Sequence, residues 1–329
     1  MNRELAIGID LGGTNIRTAL INSSGEVKGI HKQPTHAELE IVRIIENIAD
    51  GISQLLSEQK VKREDIIGIG LGAPGFLSLE LGVIHFSPNL PTARETPIVK
   101  LLEKLADFPV YLENDANASA IGEHWIGAGK GVNNLLCITL GTGVGSGFLL
   151  NGKIWHGSND LAGELGHTTL FPEGLSCKCG RKGCLEAYVS ATGIVTRTQS
   201  ALRKVKDSSL KNFLQKEEQA LTSLIIYEHA KKGDRLAREI FEETGRYLAI
   251  SLANVLNTLD LEMIIIGGQV SEAGDLILRP TIHEVEKRAI RTKYYPIRIE
   301  QAKLGDHAGI IGAAKVVFDH NASREMLET

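Results

Sequence analysis

No stretch of about 18 uninterrupted apolar residues occurs in this sequence, so no segment is built to cross a membrane as a helix. Nor is there an excess of basic residues. The 36 Lys and Arg stand against 40 Asp and Glu, a formal charge of −4, which lacks the electrostatic footprint of a nucleic-acid binder. Met1 is followed by Asn-Arg-Glu and then at once by a strand-like run, with none of the features of a signal or transit peptide. Cysteine is scarce, four in 329 residues, and a chain of this length can make its core without disulfide staples. Reduced thiols and no export signal set the expectation of a cytoplasmic protein. A composition 43% hydrophobic and 23% charged is ordinary for a soluble globular chain, and the length predicts two domains or one large one.

The few cysteines are not scattered. Cys177, Cys179 and Cys184 share one eight-residue loop, and His167 precedes them in Glu164-Leu165-Gly166-His167. Three thiolates and an imidazole are a ligand set that tetrahedral Zn²⁺ takes, and four protein ligands would leave no open position, making the site structural. Gly180 and Gly183 let so short a loop fold back, because glycine reaches φ > 0 without steric cost. A buried thiol pair, half of a disulfide, or a plain surface histidine are the alternatives. Glu164 and Glu186 flank the loop as carboxylates the metal does not need.

The 35 glycines, above an average usage of about 7%, gather at the ends of apolar runs. Leu5 to Asp10 predicts a strand, followed by Leu11-Gly12-Gly13-Thr14-Asn15-Ile16-Arg17. A Gly-Gly-Thr turn offers backbone N–H groups and a hydroxyl to a phosphate. It is neither a Walker A loop nor a GxGxxG fingerprint, and Gly-Gly after a strand is equally a hairpin turn. Strands at Thr18 to Ile21 and Val27 to Ile30 make the two readings compatible. Ile41, Ile44, Ile45, Ile48, Ile52 and Leu55 share one face of a helix from about Glu38 to Glu58.

A buried strand, Ile66 to Leu71, runs into Gly72-Ala73-Pro74-Gly75; after a loop with Ser87-Pro88-Asn89-Leu90 come a helix near Ile98 to Leu105 and a strand from Val110 to Leu112. That strand ends in Glu113-Asn114-Asp115-Ala116-Asn117, where an α/β sheet holds its ligands and where Asn or Asp equally caps a helix. A third strand, Leu135 to Leu140, meets the glycine-rich Gly141 to Gly147, and Met263 to Ile266 ends in Gly267-Gly268. Each half therefore begins with a strand and a Gly/Thr turn, which predicts two similar halves facing across a cleft. Leu202 to Thr222, with Lys204, Lys206, Asp207, Lys211, Lys216, Glu217 and Glu218, reads as a solvated surface excursion. Leu224 to Lys231 predicts a helix ended by Gly233, and Asp234 the cap of a long one through Leu259. Ala308 to Phe318 mixes small and apolar residues, a helix expected to sit closely on another element, back on the first half. From His320 a frayed polar tail is expected.

Asp10 to Arg17, Asn114-Asp115, the Gly141 to Gly147 loop, Glu164-x-Gly166-His167, the cysteine loop with Glu186, and Gly267-Gly268, in this order, resemble the ROK family of sugar kinases within the actin and hexokinase superfamily. The resemblance implies an α/β, two-domain actin/hexokinase-like (ribonuclease H-like) fold with a cleft between domains and a small zinc knuckle. The smaller domain would hold residues 1–118 plus a C-terminal helix at about 308–322, and the larger 119–307 with the knuckle. The implied activity is ATP-dependent phosphorylation of a hexose at O6, glucose to glucose 6-phosphate in carbohydrate metabolism and glycolysis. N-acetylmannosamine, fructose and allose kinases are the alternatives within the family. Sugar-responsive regulators without kinase activity also belong to it and carry an N-terminal DNA-binding domain, which is not expected here because the first strand begins by Leu5.

Residue by residue, the resemblance implies that Asp10 positions Mg²⁺ while Gly12, Gly13, Thr14 and Asn15 approach the phosphates of ATP. Gly141, Thr142 and Gly143 would grip them too, with Gly267 and Gly268 near the adenosine. Asn114, Asp115, Glu164, His167 and Glu186, with Asn89 and the Gly72 turn, would bind the sugar hydroxyls. Asp115 is the implied general base, in chemistry that depends on placement and charge stabilisation more than on an unusual pKa. His167 would have one ring nitrogen on structural Zn²⁺ and the other toward the sugar, the metal fixing which nitrogen stays free. A homodimer or tetramer is implied, with neither nucleic acid nor membrane as partner. Gln269 and Asp260-Leu261 depart from the family's usual residues, both on the nucleotide side.

Overall fold

The structure is a computed structural model that describes residues 5–205, 207–216 and 220–328. The elements follow the apolar runs. In chain order they are β1 (Leu5–Leu11), β2 (Asn15–Asn22), β3 (Val27–Pro34), α1 (Ile41–Gln59), β4 (Ile66–Ala73), β5 (Phe76–Ser78), β6 (Val83–Phe86), β7 (Arg94–Thr96), α2 (Ile98–Ala106), β8 (Val110–Asn114) and α3 (Asp115–Trp125). Then come β9 (Leu135–Leu140), β10 (Val144–Leu150), β11 (Lys153–Ile154), α4 (Glu186–Val189), α5 (Ala191–Leu202), α6 (Ser209–Lys216), α7 (Ser223–Lys231) and α8 (Arg235–Leu259). The last are β12 (Met263–Gly267), α9 (Asp275–Arg288), β13 (Arg298–Gln301) and α10 (Ala308–Glu328). Two five-stranded sheets have the orders β3-β2-β1-β4-β8 and β11-β10-β9-β12-β13. Among the described residues no helix is long and apolar enough to cross a membrane.

The chain divides into two compact units. The first holds Met1–Cys137, Gly147–Gly163 and Ala302–Thr329, and the second Ile138–Ser146 and Glu164–Gln301. In the first, β1 and β2 pair antiparallel while β1, β4 and β8 run parallel. Side chains alternate across β1 as the pleat demands. Ile7, Ile9 and Leu11 join a core with Ile44, Ile45, Ile48 and Ile52 of α1, and Ala6 faces the other way, toward Ile310, Ile311 and Ala314 of α10. On that second face two positions require glycine. A Cβ at Gly8 would lie 1.9 Å from the Ile310 carbonyl oxygen, and one at Gly70 1.8 Å from that of Ala313. The expected close seat of the C-terminal helix on the first half is therefore backbone against backbone. The helix does not fray at His320. It continues to Glu328; the His320 ring stacks on Tyr111 with centroids 4.4 Å apart, and Asp319 pairs with Lys315 one turn back.

The stretch expected as a loop around Ser87 holds a small antiparallel sheet, β5-β6-β7. In the second unit α8 is capped as expected, the Asp234 carboxylate accepting from the Ala237 N–H at 2.9 Å. It packs against α9 closely enough that a Cβ at Gly245 would lie 2.6 Å from the Ile277 carbonyl oxygen. The surface excursion is in part helix α6 with Leu210 buried; Lys204 and Asp207 are exposed. Lys206, Glu217, Glu218 and the side chain of Lys216 lie outside the described residues.

Candidate functional site

In the first unit three parallel strands end side by side. Asp10 on β1 stands opposite Gly72 on β4, and Gly72 opposite Glu113 on β8. The carboxyl ends of such strands are where α/β sheets hold ligands. A Cβ at Gly72 would come 3.7 Å from the Asp115 Cα, and one at Gly13 3.1 Å from the Asn89 Cβ. At Gly13 the missing side chain leaves room for Asn89, while the distance at Gly72 is an ordinary contact. The Gly12-Gly13 turn is indeed the hairpin between β1 and β2. Its Gly12 N–H donates to the Asn15 oxygen at 3.0 Å, and the buried Thr35 hydroxyl donates to the Gly12 oxygen at 2.6 Å. Thr14 stays exposed. Burial pushes the Asp10 carboxyl above its ordinary range, although Arg17, 3.2 Å away, pulls it back.

Asn114 caps α3. Its Oδ1 accepts from the N–H groups of Ala116 at 2.9 Å and Asn117 at 3.2 Å, which leaves the amide nitrogen outside the cap. Asp115 is the first residue of that helix and takes the Ala116 N–H on Oδ1 at 2.9 Å. A carboxylate suits a helix N-terminus. Glu113, at the strand end named in the sequence, and His156, which sequence reasoning passed over, complete this corner. Glu113 is buried, and its Oε2 lies 2.8 Å from Nε2 of His156. No local pattern marks His156, 43 positions further along; only the fold joins the two.

In the second unit the Gly141 to Gly143 turn is tied to the start of α5. The Ala191 N–H donates to the Gly141 oxygen at 2.8 Å, and the Thr192 hydroxyl to the Thr142 oxygen at 2.9 Å. Glu186 lies beneath it, Oε2 accepting the Val144 N–H at 3.0 Å, and a Cβ at Gly143 would meet that oxygen at 2.6 Å. The other oxygen takes the Cys177 thiol at 3.6 Å. Glu186 therefore links the turn to the cysteine loop. Gly268, at φ +82°, lies where a Cβ would be 2.5 Å from the Leu140 oxygen, beside the strand that feeds the turn. The glycine of Glu-x-Gly-His has a similar reason, since a Cβ at Gly166 would be 2.5 Å from the Val144 oxygen.

His167, Cys177, Cys179 and Cys184 come together as a group that could hold a metal ion, their ligand atoms all within 4.8 Å of one another. The Cys177 Sγ lies 3.8 Å from His167 Nδ1, and the Sγ atoms of Cys179 and Cys184 are 3.6 Å apart, far beyond the roughly 2.05 Å of a disulfide. Gly180 and Gly183 do take positive φ, +87° and +73°. His167 points Nε2 at Glu164, 3.9 Å away. Burial raises the Glu164 carboxyl, as does Glu186 nearby, while His167 lowers it. Burial also pushes the metal-free Cys177 thiol up to about 12. Behind the loop, Arg197 donates to the Tyr188 oxygen at 2.7 Å, and the Tyr188 hydroxyl accepts the Leu175 N–H at 2.7 Å. The short helix that carries Glu186 is thereby fixed.

Comparison with known proteins places the whole chain. The model of the ROK family matches residues 6–320. A glucokinase of Halalkalibacterium halodurans is 40% identical over 326 residues, covering 99% of this chain and 98% of that protein. The crystal structure of a ROK family glucokinase from Streptomyces griseus, in complex with glucose and AMPPNP, superposes with a TM-score of 0.81 at 31% identity, over 95% of this chain and 98% of that one. A putative xylose repressor of Caldicellulosiruptor is 30% identical over 317 residues, 96% of this chain but 79% of the repressor. The fold is the α/β architecture of the actin and hexokinase class. The chain belongs to the ROK family.

Proposed function

We propose that this protein is a sugar kinase that transfers the γ-phosphoryl group of ATP to O6 of a hexose, glucose in the first place. The observation that carries the reading is Asp115, a carboxylate at the N-terminus of α3 and at the carboxyl ends of three parallel strands, within a chain that matches glucokinases from end to end. Asp115 accepts the proton of the attacking hydroxyl. Asn89, Asn114, Glu164, His167 and Glu186, with the Gly72 turn, hold the remaining hydroxyls. The Gly12-Gly13-Thr14-Asn15 and Gly141-Thr142-Gly143 turns receive the phosphates, the Gly12 and Gly141 N–H groups holding the turns closed, with Gly267 and Gly268 near the adenosine. Phosphoryl transfer asks little covalent chemistry of a protein, so rigid placement of these groups does most of the work.

Two metal ions belong to the proposal. Asp10 offers the carboxylate oxygen that Mg²⁺, retaining several waters, takes from a protein when it arrives with a nucleotide. Three cysteines and His167 suit Zn²⁺, and a tetrahedron with Zn–S bonds of about 2.3 Å has edges of roughly 3.8 Å. The 3.6 Å between the Sγ atoms of Cys179 and Cys184 is close to that figure, and all four ligand atoms lie within 4.8 Å of one another. His167 Nδ1 faces Cys177, so Nε2 remains for Glu164 and the sugar. With four protein ligands the ion would brace the loop and leave the chemistry to the side chains.

An ADP-release assay over hexoses and N-acetylhexosamines tests the reading. Glucose is expected to support the fastest turnover, and Asp115→Asn to lose about 10²–10⁴-fold in kcat while glucose still binds by calorimetry. Turnover of Asp115→Asn at the wild-type rate would overturn the assignment of the base, and preference for N-acetylmannosamine would move the substrate.

A further inference from the structure

Glu113 and His156 have no part in the roles assigned so far. The Glu113 side chain is 4% exposed and that of His156 31%. A buried carboxylate is unfavourable unless it is paired and hydrogen-bonded, and Glu113 has both oxygens engaged. Oε2 holds His156 Nε2 at 2.8 Å, while Oε1 accepts the Asn114 N–H at 2.9 Å and the Asn117 amide at 3.0 Å. The last two partners bracket Asp115. Asn114 precedes it and caps α3, and Asn117 stands in the first turn of the same helix.

The segment that delivers His156 is itself closed. Its oxygen accepts the Ala162 N–H at 3.0 Å, and the neighbouring Trp155 N–H is bonded to the Phe148 oxygen at 2.8 Å. Gly157 turns the chain at φ +76°. The hydrogen bond to Glu113 raises the imidazole's affinity for its proton, opposed by burial, so the pair strengthens toward an ion pair as the ring is protonated.

We propose that His156 is a positioning residue for phosphoryl transfer, which by pairing with Glu113 fixes the Asn114 to Asn117 turn that carries Asp115. The inference rests on the hexose-kinase reading. Without His156 the buried Glu113 carboxylate has lost the partner of its Oε2, so it turns toward water and its hold on the Asn114 N–H and the Asn117 amide slackens. Asp115 then leaves its place against the attacking hydroxyl. A base displaced by about 1 Å loses on the order of 10²-fold in rate.

The test is steady-state kinetics on the full-length protein for wild type, His156→Ala, His156→Gln, Glu113→Gln and the double variant His156→Ala/Glu113→Gln, with folded content followed by circular dichroism. The expected result for His156→Ala is a kcat lower by about ten- to a hundredfold, with the KM for ATP unchanged. His156→Gln keeps an N–H for the carboxylate and should regain much of the loss. Glu113→Gln should resemble His156→Ala, and the double variant should be no worse than either, as members of one network behave. A His156→Ala enzyme within roughly twofold of wild type in kcat would overturn the proposal. So would a loss matching the loss of folded protein, or one that glutamine does not relieve. Wild-type protein that phosphorylates no hexose would instead sink the functional reading, an outcome seen before any variant is measured.

Discussion

Gly12-Gly13-Thr14 and Gly141-Thr142-Gly143 both follow an apolar strand, and both lie where the next strand of a sheet begins, yet they are held by different means. The first is anchored close by, through the Gly12 to Asn15 hydrogen bond and the Thr35 hydroxyl on the adjoining strand end. The second closes on itself through the Gly141 N–H and the Gly143 oxygen, 3.0 Å apart, but is also held from afar, by the N-terminus of α5 and by Glu186, whose other oxygen reaches the cysteine loop. Two turns with similar letters thus depend on different parts of the molecule. The first rests on its own hairpin; the second rests in part on the knuckle, through Glu186.

The largest test of that contrast is removal of the metal. Purified protein should hold about one zinc per chain, and Cys184→Ser should lose it. Freed from the knuckle, Glu186 should release the Val144 N–H, whose hydrogen exchange is expected to quicken by roughly ten- to a hundredfold, the worth of one hydrogen bond to a charged group. Exchange at Gly12 to Asn15 should not change; acceleration there, or none at Val144, would break the contrast. A smaller perturbation is Gly143→Ala. Its Cβ would displace Glu186 Oε2 from 2.6 Å, costing about 1.5–3 kcal/mol in urea unfolding. Adding Glu186→Ala should cost little more, because both changes remove one interaction; full additivity would show that the two do not communicate. The smallest is Thr35→Val, which removes the hydroxyl on the Gly12 oxygen and should lower stability by about 1 kcal/mol while leaving exchange at Val144 unchanged.

Sequence patterns disclosed these turns because strands announce themselves by continuous burial. Ile66 to Leu71 and Met263 to Ile266 are buried throughout, and the isoleucines of α1 fall on one face. Caps were legible where one residue does the work, as at Asp234. The β5-β6-β7 sheet escaped, being made of three- and four-residue strands too short to show a period. The length of α10 was missed because His320 is polar and its partner Tyr111 is far away in sequence. In the candidate site, residue types with a motif around them were found, as with Asn114-Asp115 and the cysteines. His156 and Thr35 act through single long-range contacts, and no spacing rule reports such contacts.

The bare backbone seam between β1, β4 and α10 has a consequence for how the protein is made. Gly8 and Ile310 touch across an interval of roughly 300 residues, which a ribosome working at about 5–20 residues per second covers in roughly 15 to 60 seconds. For that time the α10 face of the first sheet, with Ala6, Ala19 and Ile21, has no cover. This face is completed only when α10 arrives.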